Sequence, residues 1–227
     1  MARYGKVGFC FVDEIPRVPR ERLAPFADFV TPNVADVLGR FIALSPRIRP
    51  ISDGLRVFGQ AITVKLRPAD NLMAHKAVDI AQPGDVLVID TGKNYTNAPW
   101  GELLTQSCMK KGIAGLVIDG VIRDVAAIRE LKFPIFCCGF TPNGCDKDGP
   151  GEVNTVITCG GQTIRPGDII LGDDDGVICV PLELLDETVE KTRDKVLAEE
   201  RRREEIAQGI LVRKGIDAEL RRQGIIS

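Results

Sequence analysis

The chain has 227 residues, 44% of them hydrophobic, 27% charged and 5% aromatic, and 30 basic against 32 acidic residues leave a net charge of −2. This balance excludes the basic excess of a protein built to bind nucleic acid and the composition of an acidic disordered chain, while the length suits one large domain or two small ones. No apolar run reaches the roughly 18 residues of a membrane helix and Met1 to Cys10 lacks a signal-peptide layout, so the expectation is a cytoplasmic globular protein with no membrane partner.

The stretch up to Pro50 is Pro-rich and is expected to be helical in pieces. Thr31-Pro32 ahead of Asn33 to Arg40 reads as a helix start with proline in its first turn. From about 58 onward, short apolar strands alternate with helical stretches. Phe58 to Leu66 reads as a strand, Ala69 to Ala81 as a helix, and Val86 to Asp90 as a buried strand after the Pro83-Gly84-Asp85 turn. Trp100 to Lys111 follows as a helix, Gly115 to Asp119 as a strand, Asp124 to Lys132 as a helix and Pro134 to Cys138 as a strand. This alternation predicts an α/β layer fold with a partly parallel sheet. After residue 150, Val153 to Cys159, Asp168 to Leu171 and Val177 to Val180 read as strands joined by turns, a mostly β layer lying on the first.

The last 46 residues, 182–227, differ: 21 of them are charged. Leu182, Leu185, Val189, Thr192, Val196, Glu199, Arg203, Ile206 and Ile210 follow the 3-4 spacing of a long amphipathic helix. The expected organisation is therefore an α/β domain over 1–181 and a helical extension over 182–227 packing on a neighbouring subunit. Glu199 and Arg203 fall on the apolar seam, where a charge must be paired or used. Glu199 is either the partner of Arg203 at i, i+4 or a carboxylate delivered across a subunit interface.

The seven cysteines include no CxxC pair, which removes the commonest zinc and thioredoxin spacings, and they read as free thiols, most of them buried. The single histidine, His75, makes a Ser-His-Asp or Cys-His centre a poor expectation; it reads as a core or edge residue. Asp173-Asp174-Asp175-Gly176 lacks the closing Glu of a calcium loop and reads as a tight turn. No GxGxxG or Walker-type loop follows a strand.

Ligands of α/β sheets bind beyond the carboxyl ends of the strands. Two such ends carry suitable residues. One is Asp90-Thr91-Gly92 with the loop to Trp100-Gly101-Glu102-Leu103-Leu104; the other is Asp119-Gly120-Val121-Ile122-Arg123-Asp124. The amides of Gly101 to Leu104 open a helix and attract a carboxylate. Asp124 reads as an N-cap or as a ligand for a hard cation. Arg123 reads as a paired surface arginine or as a fork for a carboxylate or enolate. Glu102 favours the helix dipole or holds a metal-bound water. Lys147, Lys93 and Arg67 are candidates for a further anionic group.

The segments Asn71 to Ala77, Pro83 to Asp90, Trp100 to Leu104, Gly112 to Asp124 and Asp173 to Val177 together resemble the motif core of the RraA-like proteins, over about Asn33 to Pro181. The resemblance implies an α/β/β sandwich that assembles as a trimer or hexamer with its active site between subunits. Short members of that family regulate ribonuclease E; longer ones with a C-terminal helical extension are class II pyruvate aldolases acting on 4-hydroxy-4-methyl-2-oxoglutarate and 4-carboxy-4-hydroxy-2-oxoadipate, enzymes of aromatic degradation. The extension here is similar to that of the longer kind. Carried over by position, the resemblance implies that Asp124 binds Mg²⁺ or Mn²⁺. Arg123 then binds the pyruvyl oxygen, and the amides of Leu103 and Leu104 its carboxylate. Glu102 and a neighbour's Glu199 reach the metal through water. The substrate it implies is a small 2-oxo acid, with oxaloacetate decarboxylation as a side activity. The open alternative is a non-catalytic ribonuclease regulator.

Overall fold

The structure, a computed structural model, describes residues 1–227. In chain order its strands and helices are β1 (Arg3–Lys6), β2 (Phe9–Val12), α1 (Arg20–Leu23), α2 (Thr31–Val37), β3 (Arg49–Pro50), β4 (Val57–Leu66), α3 (Leu72–Ile80), β5 (Val86–Asp90), α4 (Glu102–Lys111), β6 (Gly115–Asp119), β7 (Val121–Ile122), α5 (Val125–Leu131), β8 (Ile135–Cys137), β9 (Gly139–Phe140), β10 (Gly151–Val153), β11 (Ile157–Cys159), β12 (Gln162–Ile164), β13 (Ile169–Asp173), β14 (Gly176–Val180), α6 (Leu185–Ala207) and α7 (Ile216–Arg222).

The spine is a parallel run, β4-β5-β6-β8, in register from Ala61 opposite Val86 to Asp90 opposite Asp119. Its strands are apolar on both sides because both faces are covered. Ile62, Val64, Leu87, Ile89, Leu116 and Ile118 face α3, α4 and α5 in one core. Their strand neighbours Ala61, Val86, Val88 and Val117 face β11, β12, β13 and β14 in a second. The architecture is thus helices, central sheet, second β layer: the expected α/β/β sandwich.

The second layer is fed by β4. At ten residues it is long enough to pair β10 through Val64–Leu66 and β13 through Val57–Gln60 on the same edge, both antiparallel. The segment read as one strand from Val153 to Cys159 is split in two, β10 and β11. Asn154 turns the chain with a positive φ of 56°, and its backbone N–H donates to the carbonyl of Thr63. β11 and β12 form a hairpin across Gly160-Gly161, both with positive φ, the geometry a two-residue turn demands.

The N-terminal expectation is corrected in part. Helical pieces exist (α1, and α2 with Pro32 in its first turn), but the chain opens with the hairpin β1–β2, which adds to the sheet through β10. Tyr4 and Phe11 stack across it at 4.8 Å; cross-strand aromatic pairs favour strand over helix. Asp173-Asp174-Asp175-Gly176 is the β13–β14 turn, and the Asp173 carboxylate accepts both the N–H and the hydroxyl of Thr31 at the start of α2.

The extension is a 23-residue helix, α6, which packs on α2. Its helical run stops at Ala207, so Ile210 of the expected seam lies beyond it; Leu185, Val189, Thr192, Val196 and Glu199 turn inward as expected, joined by Thr188, Lys195 and Arg202, while Arg203 and Ile206 are exposed. The stripe drifts because an α-helix turns 3.6 residues at a time, not 3.5. No helix is long and apolar enough to cross a membrane.

Candidate active site

The carboxyl ends of β5 and β6 lie side by side, and the loops leaving them shape a cleft of about 160 Å³. Its walls include Asn71 and His75 of α3 and its start, Trp100, Gly101, Leu103 and Leu104 at the start of α4, Arg123 and Asp124, and Cys145 and Lys147. Two chain segments read from sequence as separate strand ends thus build one site.

Gly101 is the hinge of this arrangement. A Cβ there would lie 2.4 Å from Asp124 Oδ2 and 3.3 Å from Arg123 Nε, so only glycine lets the backbone pass this close. The Arg123 N–H donates to the Trp100 carbonyl at 3.0 Å, tying the two loops together. The Trp100 indole N–H donates to Thr105 Oγ1 at 2.9 Å, and that hydroxyl donates to the Gly101 carbonyl at 3.0 Å.

Asp124 precedes α5 with a left-handed backbone, φ 61° and ψ 33°, and does not cap its own helix. Its Oδ2 instead accepts the Glu102 N–H of α4 at 3.1 Å. The N-cap reading is therefore half right: Asp124 caps a helix, but the neighbouring one. A non-glycine residue at positive φ is an uncommon, costly conformation that clusters at functional sites; here it turns the carboxylate toward the cleft. Oδ1 accepts no hydrogen bond, and the side chain is 42% exposed.

Arg123 Nε lies 3.7 Å from Asp124 Oδ2, and its Nη1 packs against Gly144, where a Cβ would approach to 2.8 Å. No other carboxylate pairs with it, leaving most of its donor fork open. The N–H groups of Leu103 and Leu104 have no acceptor in the chain; the first hydrogen bond of α4 is Thr105 N–H to the Gly101 carbonyl. A helix start with free amides beside a guanidinium whose one carboxylate partner is Asp124 offers an anion two independent sources of positive charge. Glu102 Oε1 accepts from Gln106 Nε2 at 2.8 Å.

The other candidates separate cleanly. Asp90 and Asp119, at the strand ends, are tied into the loops: Asp90 accepts the Gly92 N–H, and Asp119 accepts from Tyr95, Cys138 and Gly160. Burial pushes the Asp90 carboxyl above its ordinary range. Lys147 lines the cleft, whereas Arg67 pairs with buried Asp70 at 3.4 Å and Lys93 stands elsewhere. His75 is an edge residue on the cleft wall, open to solvent on one side, and the partial desolvation of its ring on the other, then the charge of Lys147, lower its pKa. Asn71 and Cys145 were not singled out in the sequence; Asn71 lies in a motif segment, but nothing in its pattern says it faces a cleft. Cys145 is held protonated, its thiol pushed up to about 11 by burial and then by Asp70 and Asp146. All seven cysteines are free.

Glu199 is not brought to this cleft within the chain. Its carboxylate meets Arg203 at 3.3 Å, Lys195 at 3.4 Å and Asn33 Nδ2 at 3.2 Å. The i, i+4 pair with Arg203 is thus present. No group of three or more His, Cys, Asp or Glu side chains is arranged around a metal position.

Comparison with known proteins bears on the fold and the family. The RraA-like family model, described as Aldolase/RraA, matches residues 31–179. A protein of Halalkalibacterium halodurans, provisionally named a 4-hydroxy-4-methyl-2-oxoglutarate aldolase, is 38% identical over 83% of this chain and 90% of its own. A shorter relative from Ectopseudomonas mendocina with the same provisional name is 32% identical over 69% of this chain and 96% of its own; the aldolase name therefore does not depend on the extension. Among solved structures, Streptomyces coelicolor RraAS2, titled an unusual member of the RNase ES inhibitor RraA protein family, superposes with a TM-score of 0.74 at 29% identity, covering 82% of this chain and 98% of that one. With the fold, the motif segments and the family model in agreement over most of its length, the chain belongs to the RraA-like family.

Proposed function

We propose that the cleft is the active site of a divalent-metal-dependent class II pyruvate aldolase, which cleaves 4-hydroxy-4-methyl-2-oxoglutarate-type acids and decarboxylates oxaloacetate as a side reaction. The observation that carries this reading is that three available groups line one cleft: the open Oδ1 of Asp124, the largely open fork of Arg123 and the free amides of Leu103 and Leu104.

The donor set fits Mg²⁺ or Mn²⁺. Such a cation takes one or two carboxylates and keeps several waters, so the open carboxylate oxygen of Asp124 would hold it, and Glu102 and a neighbouring subunit's Glu199 would reach it through water. When bound it would polarise the substrate's 2-oxo group as a Lewis acid.

The chain's own groups supply the rest. The amides of Leu103 and Leu104 receive the C1 carboxylate at the positive end of α4. Glu102 borders the cleft without being one of its lining residues; with Oε2 free of hydrogen bonds, it takes the 4-hydroxyl proton through a water. The C3–C4 bond breaks and its electron pair becomes the enolate of pyruvate. Arg123 faces the C2 oxygen, where negative charge grows; a fixed donor at such an oxygen is worth about 10²–10³-fold in rate. Proton return to C3 gives pyruvate. Oxaloacetate reaches the same enolate by losing CO₂. We place the protein in the cytoplasm as a homotrimer or homohexamer, as the family resemblance implies; the exposed Leu197, Ile206 and Leu211 of the extension are surface that such an assembly would cover.

The test is pyruvate release from 4-hydroxy-4-methyl-2-oxoglutarate and from oxaloacetate, with Mg²⁺ and with EDTA. Metal-dependent release from the first is the expected result. Release from oxaloacetate alone makes the protein a decarboxylase. Release from neither favours the second reading, a non-catalytic ribonuclease regulator, which the likeness to RraAS2 supports and which predicts a tight protein partner.

A further inference from the structure

Asp70 does not touch the cleft, yet two of the cleft's walls hang on it. It is almost fully buried, 1% exposed. Its Oδ1 accepts the Leu72 N–H at 2.9 Å, at the start of α3, and its Oδ2 accepts the N–H groups of Asp148 and Gly149, each at 2.8 Å. One carboxylate therefore joins two segments that are far apart in sequence. The first carries Asn71 and His75; the second carries Cys145 and Lys147; all four line the cleft.

The backbone closes the same junction. Asn71 N–H donates to the Asp146 carbonyl and Asp146 N–H to the Ala69 carbonyl, both at 2.9 Å. Ala69 adopts a positive φ of 60°, an uncommon conformation for alanine that persists only where its surroundings enforce it. Burial alone would raise the Asp70 carboxyl; the three backbone donors and Arg67 outweigh it and hold the group below its ordinary range. The anion is thus the form the junction is built around.

The wall so fixed brings one cation, Lys147, to the cleft lining. Lys147 is flanked by two residues on the Asp70 junction, Asp146 and Asp148, and it lies close enough to His75 to lower that ring's pKa. It stands on the cleft wall together with Arg123 and the α4 amides, which receive the pyruvyl end. A 2-oxo acid held there by its C1 carboxylate and carrying a second carboxylate at its far end would meet Lys147. A 2-oxo acid without one would not use this wall.

We infer that Asp70 is a positioning residue: by holding the 145–149 loop against the start of α3 it fixes Lys147, and so makes the cleft select 2-oxo acids that carry a distal carboxylate. The inference rests on the cleft being a 2-oxo acid site, and binding tests it without catalysis. Calorimetric titration with Mg²⁺ present compares 2-oxoglutarate, which has the distal carboxylate but no 4-hydroxyl to cleave, with pyruvate, which has neither. Lys147→Ala should weaken 2-oxoglutarate about 10-fold and pyruvate less than 2-fold. Asp70→Asn, which keeps the side chain's shape, should show the same selective loss and faster hydrogen exchange at Asp148 and Gly149. In the double variant the loss should not grow beyond that of Lys147→Ala, because Asp70 acts through Lys147.

Equal weakening of both ligands in Asp70→Asn, or additive losses in the double variant, would overturn the positioning role. If Asp70→Asn unfolds, Lys147→Ala still decides: Lys147 is a surface residue, and unchanged 2-oxoglutarate binding in that variant overturns the inference. Wild-type protein that binds both acids but releases no pyruvate from any substrate defeats the aldolase reading and leaves the inference standing. Wild-type protein that binds neither acid defeats both.

Discussion

The cleft and the C-terminal arm are built on opposite terms. Around the cleft, short loops are pinned by named hydrogen bonds: Arg123 to Trp100, Asp124 to Glu102, Asp70 to Asp148 and Gly149. What is left unpaired there is confined to groups that face the opening. In the arm the reverse holds. Beyond Thr192 no side chain of α6 is buried, and Ile210, Leu211, Val212, Ile216, Ile225 and Ile226 carry their apolar surface in the open. Isolated large apolar residues on a surface need no explanation, whereas a run of them on one segment is the pattern of an interaction surface. The cleft residues are fixed by contacts inside the chain, whereas the arm leaves much of its apolar surface without a partner in it.

The largest effects should come from the preorganised side. Arg123→Ala and Asp124→Ala should each lower pyruvate release by at least about 10²-fold with thermal unfolding little changed, since both side chains are close to half exposed. Full turnover in either variant would sink the proposed chemistry. Gly101→Ala sharpens the same point. Its backbone is extended, at φ −156°, which alanine adopts freely, so any loss is steric: the new methyl would contact Asp124 Oδ2. Misplacing a catalytic group by about 1 Å costs up to about 10²-fold, and turnover should fall by more than 10-fold. Turnover within 2-fold of wild type would mean that the Asp124 carboxylate can move without consequence.

The arm should answer to mixing rather than to single substitution. If Glu199 of one subunit completes the site of another, Glu199→Gln lowers turnover about 10-fold and Glu200→Gln does not. Random co-assembly of Asp124→Ala with Glu199→Gln subunits then pairs intact halves in roughly a quarter of the sites. Recovery of activity on mixing would establish a shared site. No recovery, with oligomers formed, would confine Glu199 to its observed partners Arg203, Lys195 and Asn33.

The same contrast explains what could be read in the sequence. The two central parallel strands were legible to the residue, and their neighbours β4 and β8 to within one: Val86 to Asp90 and Gly115 to Asp119 are continuous apolar runs ended by aspartates and bounded by turns. Helix ends were not. Trp100 was expected in a helix that starts at Glu102, because nothing local shows that Gly101 must stay extended to admit Asp124. The split of 153–159 and the β1–β2 hairpin depend on pairing with β4 and β10, which are far away in sequence. Arg123 and Asp124 stood out by type and by their place after a strand. Asp70 did not, because an aspartate that accepts three backbone N–H groups looks in sequence like any aspartate before a helix. Lys147 could be named only as one of three cations; of these, only Lys147 lines the cleft.

The smallest effect is also the cleanest to measure, because His75 is the only histidine. In the free protein its pKa should lie below the ordinary 6.5, depressed first by burial and then by Lys147. A single imidazole titration followed by nuclear magnetic resonance reads it directly. Lys147→Ala removes the smaller cause, so the pKa should rise but stop short of 6.5. A distal carboxylate seated by Lys147 adds a negative charge, so 2-oxoglutarate should raise it and pyruvate should not. The sign then runs through linkage: a ligand that raises a group's pKa binds more tightly to its protonated form, so 2-oxoglutarate affinity should increase as pH falls through the His75 pKa, while pyruvate affinity stays flat there. If both ligands shift His75 equally, the pyruvyl end itself lies against the α3 wall, and the cleft is oriented the other way round.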